Sequence, residues 1–414
     1  MNTPAIVTIG YNRPDSLKRL LGSIAAASYP EGVSVPLVIS IDKSETDEVI
    51  GVAEDFSWEY GEKIILKRNP RMGLRNHVLA CGDLTHEYGS IIVLEDDLYV
   101  SPAFYDYAVK ALDFTEGDER VGSISLYNHL FNVHVRRSFA AVDDGYDNWY
   151  LQLASSWGQA YSRKQWDAFK IWYDNHLKAD LARTNVPANV SGWSDKSWLK
   201  YYIAYLIDMD RFTFYPRISY TTNFGDVGSH AVKSDCDLQV PLSGAKGRQH
   251  LSFSRLEDST AVYDSFFENT RLGESVIKQL ITEESTVAGS AVALNVAEGS
   301  NLRNEACRII TDLYGYKPVE AMLKEDKDIR YVLSSKALPY KIVKSYARAM
   351  RPIDENIRCD IPGNDFYLYD VKSGAEPVKR ADAALSYLYE YRGISAKQML
   401  SMIRYRILEK LGRS

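Results

Sequence analysis

A short apolar stretch that ends in three acidic residues constrains this chain more than any other feature. Residues 91–94, Ile-Ile-Val-Leu, are followed directly by Glu95, Asp96 and Asp97. Such a run is typical of a strand buried on both faces of a parallel sheet, whose ligands bind beyond the carboxyl ends of its strands. Carboxylates there are costly to desolvate unless a cation compensates them, and their oxygens suit Mg²⁺ or Mn²⁺ shared with phosphate. The tripeptide alone is equally compatible with a solvated acidic turn.

Strand-like and helix-like segments alternate through the N-terminal quarter of the chain. Apolar, β-branched runs predict strands at residues 5–9, 35–41, 63–68 and 91–94. Apolar residues at helical spacing predict helices at residues 16–27, 45–60 and 75–86, the first beginning at Pro14 or Asp15. This alternation predicts an α/β fold with a doubly wound, mostly parallel sheet and flanking helices.

Polar residues follow three of these predicted strands. Asn12 and Arg13 come after the first strand, Asp42 after the second, and the acidic tripeptide after the fourth. At one rim of a parallel sheet these groups would outline a site for a nucleoside diphosphate and a cation. Asp42 is equally compatible with a structural role at a strand end. No GxGxxG or GxxxxGK[ST] motif follows the first strand, which argues against a dinucleotide dehydrogenase and a P-loop NTPase.

Four segments give the chain a resemblance to GT-A glycosyltransferases, particularly family two and its relatives, over residues 4–232. They are Ile-Val-Thr-Ile-Gly-Tyr-Asn-Arg-Pro at 6–14, Ile-Ser-Ile-Asp at 39–42, Asn-Pro-Arg-Met-Gly-Leu-Arg-Asn at 69–76 and Leu-Glu-Asp-Asp at 94–97. The last stands where the family's DxD motif belongs. It is similar to the Glu-Asp-Asp variant of the N-acetylglucosaminyltransferase that initiates complex N-glycans.

The resemblance assigns roles to the rim residues. It implies that Asp42 contacts uracil or ribose, that Asp96 faces the ribose, and that Asp97 binds the divalent metal bridging the diphosphate. The remaining residues it implies for the donor nucleotide are Asn12, Arg13, Arg75 and Glu95.

Three later segments extend the resemblance. Trp157 and Gly158 lie where the family places the donor sugar, although a tight turn before a helix over 163–175 explains them nearly as well. Asp195, in a segment expected to open a helix running to residue 206, matches the family's catalytic base. It could instead be a helix-start aspartate. His230 follows glycines of a loop that in the family orders over the donor, and is a candidate metal ligand or diphosphate contact.

The length of 414 residues predicts more than one domain. We expect a GT-A domain over 1–252 and a C-terminal module of unknown role, either α/β or mainly helical, over 253–414. Residues 252–280 are expected to be helical, and residues 286–296, 329–333 and 366–371 to form strands. A final helix at 396–411 carries a basic face that could lie on an anionic membrane, but packing against its own domain is the preferred interpretation.

Composition narrows the function classes. A net charge of -6 without a basic stripe argues against nucleic-acid binding. The four cysteines form no CxxC pair, so neither a zinc site nor a disulfide framework is indicated. The 29 tyrosines and 7 tryptophans exceed what a core requires and suit stacking on sugars or bases. No signal peptide or membrane-spanning run is evident, so a cytoplasmic location is expected, with peripheral attachment to the membrane left open.

The sequence therefore predicts a metal-dependent, inverting glycosyltransferase. Its cofactor would be Mn²⁺ or Mg²⁺ and its donor a UDP-sugar, with UDP-GlcNAc the leading candidate. The acceptor would be a hydroxyl of a glycan or lipid-linked glycan in surface polysaccharide synthesis, and Asp195 would be the general base. Two alternatives stay open: a sugar-1-phosphate nucleotidyltransferase, and a non-catalytic glycan- or nucleotide-binding protein on the same fold. A homo-oligomer is also left open.

Overall fold

A computed structural model of the chain describes residues 2–226, 236, 238–244, 250–287, 308–373 and 400. It contains two compact units. The first comprises Met1–Val276 and Tyr316–Glu325, and the second comprises Ile277–Gly315 and Asp326–Ser414. The domain boundary expected after residue 252 stays a prediction.

The first unit holds a large sheet and the helices around it. Its strands are β1 (Ala5–Gly10), β2 (Leu37–Ile41), β3 (Lys63–Lys67), β4 (Ser90–Glu95), β5 (Leu98–Val100), β6 (Val121–Ser125), β7 (Phe131–Asn132), β8 (Arg137–Ser138), β9 (Asn148–Leu151), β10 (Gln159–Ser162), β11 (Phe212–Pro216), β12 (Thr221–Asn223) and β13 (Val262–Tyr263). Its helices are α1 (Pro14–Ala25), α2 (Glu48–Asp55), α3 (Leu74–Gly82), α4 (Thr85–Tyr88), α5 (Phe104–Phe114), α6 (Arg163–His176), α7 (Ala188–Ser191), α8 (Leu199–Asp208), the start of α9 (Leu272–Val287) and α10 (Val319–Glu325).

Nine strands form the main sheet in the order β13-β9-β11-β6-β10-β4-β1-β2-β3. The four strands β3, β2, β1 and β4 are mutually parallel, and β6 and β11 run in the same direction because β10 is antiparallel to both β4 and β6. Only β10, β9 and β13 run the other way. This mostly parallel α/β sheet confirms the fold class predicted from the sequence.

Burial explains why the predicted strands read as continuous apolar runs. Every residue of β1 and β2 is buried, as are residues 90–94 of β4, because helices cover both faces of the sheet. Helix α1 begins at Pro14, as expected, and buries Leu17, Leu20, Leu21 and Ile24 at helical spacing. The aromatic excess also has a structural use. Among the described residues, the largest fully buried side chains are all Trp or Tyr.

Three local predictions are wrong. Residues 128–150 are polar and aromatic with no clear period, which predicts loops, but they contain the β7–β8 hairpin and the start of β9. Strand β9 is buried on both faces, which removes any alternation of polar and apolar residues. The helix expected from residue 191 is broken by a turn before α8, in which the Ser194 carbonyl accepts from Ser197 N at 3.0 Å and its hydroxyl from Lys196 N at 3.1 Å.

The third concerns residues 252–280. The chain is not helical until α9 begins at Leu272. Side chains satisfy the backbone there instead, because Asp147 accepts from Ser252 N at 2.7 Å and Asn148 accepts from Ser254 N at 2.8 Å.

The second unit contains a four-stranded sheet in the order β14-β15-β17-β16. These strands are β14 (Arg308–Asp312), β15 (Ile329–Ser334), β16 (Lys341–Tyr346) and β17 (Phe366–Asp370), and a short helix α11 (Glu355–Arg358) accompanies them. The strands expected at 329–333 and 366–371 are present. The strand expected at 286–296 is wrong at its first two residues, which end α9, and its remainder lies outside the described residues. The helix expected at 396–411 also lies outside them, apart from Leu400. In the part that is described, no helix is both long and apolar enough to span a bilayer.

Two glycines in helices test the packing of the first unit. An added Cβ at Gly82 would lie 1.9 Å from the ring of Trp166, which is fully buried, whereas one at Gly22 would meet nothing within 4 Å. We expect Gly82→Ala to lower the free energy of unfolding by about 1–3 kcal/mol through overpacking. We expect Gly22→Ala, at an exposed helix position, to raise it by about 0.5–1 kcal/mol. Urea unfolding would measure both changes, and equal effects of the two substitutions would contradict this packing.

Candidate active site

The acidic turn after β4 lies against the end of β1. Strand β4 ends at Glu95 and β5 begins at Leu98, so Asp96 and Asp97 form the turn between them. The backbone N–H of Asp96 donates to the carbonyl of Ile9 at 3.1 Å, which fixes the turn beside β1. The two strand ends therefore meet at one edge of the sheet.

Arg13 bridges both aspartates of the turn. It precedes α1 as the N-cap residue. Its Nη2 forms an ion pair with Asp96 Oδ1, and its Nη1 lies 3.2 Å from Asp97 Oδ2. The Asp96 side chain is only 5% exposed, so this pairing takes place largely away from water. The structure thus brings a residue that follows the first strand together with two residues that follow the fourth.

The acidic turn carries more negative charge than Arg13 can neutralise. Burial raises the pKa of Asp96 to about 6, although Arg13 opposes this. Burial, and then the charges of Asp97 and Asp96, raise the pKa of Glu95 to about 8. Both shifts mean that the turn holds its carboxylates at an electrostatic cost that another positive charge would relieve.

Asp97 has an oxygen that suits a metal ion. Its Oδ1 is buried and has no hydrogen-bond partner among the described residues. Divalent cations such as Mg²⁺ are commonly held by one or two carboxylates together with phosphate oxygens and water. The orphaned oxygen therefore fits a cation shared with a nucleotide. Within the described ranges, no cluster of three or more His, Cys, Asp or Glu forms a complete metal site.

Asp42 is engaged by backbone groups. Its two oxygens accept from the N–H groups of Met72 and Gly73 at 2.8 Å each, and Oδ1 also accepts from Lys43 N at 3.0 Å. The side chain is buried and holds the loop that leads into α3. These contacts are of the structural kind that the sequence left open for Asp42, and its contact with uracil or ribose stays a prediction.

Arg75, on the first turn of α3, reaches towards α8. Its Nη1 donates to the carbonyl of Asp195 at 2.8 Å, and its guanidinium lies 5.4 Å from the ring centroid of Tyr201. None of its described contacts is with the acidic turn. Arg75 therefore positions the segment that carries Asp195.

Glycine is needed at position 158 because strand β12 packs closely against it. Its φ is +95°, and an added Cβ would lie 2.8 Å from Cγ2 of Thr221 on β12. The Thr221 hydroxyl donates to the Trp157 carbonyl at 2.5 Å, and the Trp157 ring packs edge-on against Tyr127. The group that approaches Gly158 closely is thus Thr221, a residue of the same chain.

Asn12 is exposed near the start of α1.

Asp195 lies on the rim of a cavity of about 470 Å³. Its side chain is 92% exposed and forms an ion pair of 2.7 Å with the buried Lys200. The hydrogen bond from Lys200 lowers the pKa of Asp195, which weakens it as a base but keeps it ionised. The cavity is lined by Arg75, Leu177, Lys178, Ala179, Asp180, Leu181, Ala182, Ser191, Asp195, Lys200 and Tyr201.

The segment that carries Asp195 also has a residue near the end of β4. Trp198, three residues further on, lines a small cavity together with Glu95 and Ser156. The turn before α8 therefore contacts the neighbourhood of the acidic residues on one side and borders the large cavity on the other.

A second ion pair beside the acidic turn was not expected from the sequence. Asp226 pairs with Arg19 of α1 and accepts from Ser16 Oγ at 2.7 Å. The N–H of Phe224 donates to the carbonyl of Asp97 at 2.9 Å, and the Arg19 guanidinium lies 3.9 Å from the Phe224 ring centroid. No periodicity could reveal a pair separated by 207 positions. His230, a few residues further on, lies outside the described residues.

A buried histidine supports Trp157. His129 is fully enclosed by rings that include Trp157 and Tyr215, and burial lowers its pKa to about 3. The unfolded chain binds a proton at this side chain near pH 6.5 but the native state does not, so lowering the pH from 7 to 5 favours unfolding. Protonation of this one histidine in the unfolded chain should lower the free energy of unfolding by about 2 kcal/mol between pH 7 and pH 5.

We expect His129→Phe to reduce the loss of stability between pH 7 and pH 5 by about that amount, because phenylalanine fits an aromatic cage and does not titrate. Denaturant unfolding at the two pH values measures the difference. An unchanged loss in the variant would contradict the neutral, buried state of His129.

Comparisons with known proteins show limited similarity. No family model matches the sequence. An alpha-1,3-mannosyl-glycoprotein 2-beta-N-acetylglucosaminyltransferase of Arabidopsis thaliana is 24% identical over 200 residues, which is 43% of this chain and 43% of that protein. The match thus spans less than half the length of the relative.

The similarity to solved structures is also limited. S. aureus TarS 1–349 in complex with UDP-GlcNAc is 13% identical with a TM-score of 0.35, over 56% of this chain and 60% of that one. The mannosyltransferase PcManGT of Pyrobaculum calidifontis, in complex with GDP-Man and Mn²⁺, is 12% identical with a TM-score of 0.31, over 72% and 67%. The match in sequence supports the predicted resemblance: over 200 residues this chain is similar to a named N-acetylglucosaminyltransferase.

Proposed function

We propose that the protein is a glycosyltransferase that moves a sugar from a nucleotide-sugar to an acceptor hydroxyl with the help of a divalent cation. The observation that carries the proposal is the buried Oδ1 of Asp97, which has no hydrogen-bond partner among the described residues and lies at the carboxyl end of β4 beside Arg13. This is where ligands of a parallel sheet bind, and the combination of carboxylates with an arginine fits a metal-bound diphosphate. The similarity to a named glycosyltransferase supports the same activity.

The donor would bind at the acidic turn. Asp97 would hold Mn²⁺ or Mg²⁺, which when bound neutralises charge on the departing diphosphate. Arg13 would donate to diphosphate oxygens, and Asp96 would accept from ribose hydroxyls. The resemblance favours UDP as the nucleotide, and UDP-GlcNAc is the leading donor. Glu95, Trp157 and Gly158 belong to the same proposed site as neighbours of the turn and of the donor sugar.

Transfer would occur by direct displacement. The acceptor oxygen attacks the anomeric carbon, the bond from that carbon to the diphosphate oxygen breaks, and the acceptor proton passes to the Asp195 carboxylate. Lys200 keeps Asp195 ionised, so it is ready to take the proton as the new bond forms. A base on the side opposite the leaving group implies inversion at the anomeric carbon.

The acceptor would occupy the cavity beside Asp195. Its volume of about 470 Å³ lies within the usual range for ligand sites, and its lining of Lys, Arg and Asp side chains suits a hydroxyl-rich glycan. We include in the proposal an acceptor that is a glycan or lipid-linked glycan of a surface polysaccharide. A cytoplasmic location, with peripheral membrane contact through the basic C-terminal segment, fits such an acceptor.

Calorimetric titration with UDP, with and without Mn²⁺, tests the donor site. We expect binding that requires Mn²⁺ and is lost in Asp97→Asn, because that substitution removes the charge that holds the cation. Asp47→Asn, at an exposed residue of the same charge, is the matched control and should bind as the unaltered protein does. Binding of GDP or dTDP in place of UDP would change the nucleotide of the proposed donor and leave the rest of the proposal standing. Failure of all three nucleotides to bind would contradict the proposal.

Asp195→Asn tests the transfer step. We expect the rate of transfer to fall by about 10²–10⁴-fold, the usual contribution of a general base, while donor affinity is unchanged. Asp174→Asn, at an exposed position of α6, should retain activity. Full activity of Asp195→Asn would exclude Asp195 as the base. Release of pyrophosphate from UTP and a sugar 1-phosphate would instead support a nucleotidyltransferase, and nucleotide binding without any transfer would support a binding protein.

A further inference from the structure

Arg13 contacts the carboxylates that a bound metal ion would also use. One guanidinium contacts both aspartates of the acidic turn, through Nη2 to Asp96 Oδ1 and through Nη1 to Asp97 Oδ2 at 3.2 Å. The other oxygen of Asp97 has no partner among the described residues. A single carboxylate thus offers one oxygen to an arginine that is already present and the other to a cation that would arrive.

Two positive charges on one carboxylate repel each other. A dication on Asp97 Oδ1 would lie only a few ångströms from the Arg13 guanidinium, and neither the buried Asp96 nor the partly buried Arg13 is well screened by water. The two cations would therefore compete electrostatically for Asp97. A bound diphosphate would remove the conflict, because its oxygens accept from arginine and ligate the metal at once.

The backbone around Arg13 restricts how it can respond. Its carbonyl accepts from Leu17 N at 3.0 Å, and Pro14 follows it as the first residue of α1. The side chain is 22% exposed, so it has a solvent-facing side. A change of partner would therefore be a rotation of the side chain about a fixed anchor.

We propose that Arg13 acts as an internal counter-cation, which holds Asp96 and Asp97 in the metal-free protein and weakens metal binding until a nucleoside diphosphate is present. This inference rests on the proposed function, since it concerns the same acidic turn. It makes Arg13 a positioning residue that sets the order of binding. The cation would enter together with the nucleotide, and the protein would bind little metal on its own.

The test measures the affinity for Mn²⁺ alone, by calorimetry, and then in the presence of UDP. We expect Arg13→Gln to bind Mn²⁺ alone about tenfold more tightly than the unaltered protein, and the enhancement of Mn²⁺ binding by UDP to shrink by a similar factor, within the usual range of coupling between sites. Arg13→Lys keeps the charge but loses the two-pronged contact, so an intermediate affinity is expected. It also keeps the test usable if Arg13→Gln does not fold.

Lys18→Gln is the matched control, because it removes one positive charge from an exposed position of the same helix. It should leave the Mn²⁺ affinity unchanged. Metal binding that requires Asp97 but is unaffected or weakened in both Arg13 variants would overturn the inference and leave the proposed function intact. If Mn²⁺ bound to no variant, with or without UDP, the inference and the metal-dependent function would fail together.

Discussion

The compensation of buried negative charge at the end of β4 is the constraint on which the site depends. Three consecutive carboxyl groups stand where a buried strand leaves the core, and one arginine from the neighbouring strand end faces two of them. Taking carboxylates out of water is costly, and the raised pKa values of Glu95 and Asp96 record that cost. The hydrogen bond from the N–H of Asp96 to the carbonyl of Ile9 holds the turn where Arg13 can reach its carboxylates.

The rest of the first unit positions two surfaces relative to this turn. Asp42 fixes the loop before α3, and Arg75 of α3 holds the carbonyl of Asp195. Trp198, at the end of the same segment, lines a small cavity together with Glu95. Through these contacts one short irregular segment borders both the acidic turn and the large cavity. The transfer that we propose needs such an arrangement, because two substrates must each be held while their reactive atoms meet.

The abundance of tyrosine has mainly a structural origin. Tyr107, Tyr150 and Tyr202 are fully buried, and each hydroxyl donates to a backbone carbonyl, at 3.0, 2.7 and 2.7 Å respectively. A buried tyrosine of this kind fills the core with its ring and satisfies a carbonyl in the same place. The composition suggested surfaces for sugars, but it does not distinguish an exposed ring from a buried one. Trp157, the aromatic residue predicted for the site, is partly exposed.

The sequence by itself determined the order of strands and helices in the N-terminal region and the residues at the strand ends. Burial on both faces leaves an unbroken apolar run, and parallel strands place their carboxyl ends at one edge, so both can be read from local pattern. Tertiary structure alone decided how those residues are paired. The bonds of Asp42 to the loop before α3, the ion pair of Asp195 with Lys200 and the pair of Arg19 with Asp226 arise from folding geometry. Whether a carboxylate is satisfied, exposed or orphaned depends on contacts and desolvation set by residues distant in the chain, and no periodicity encodes them.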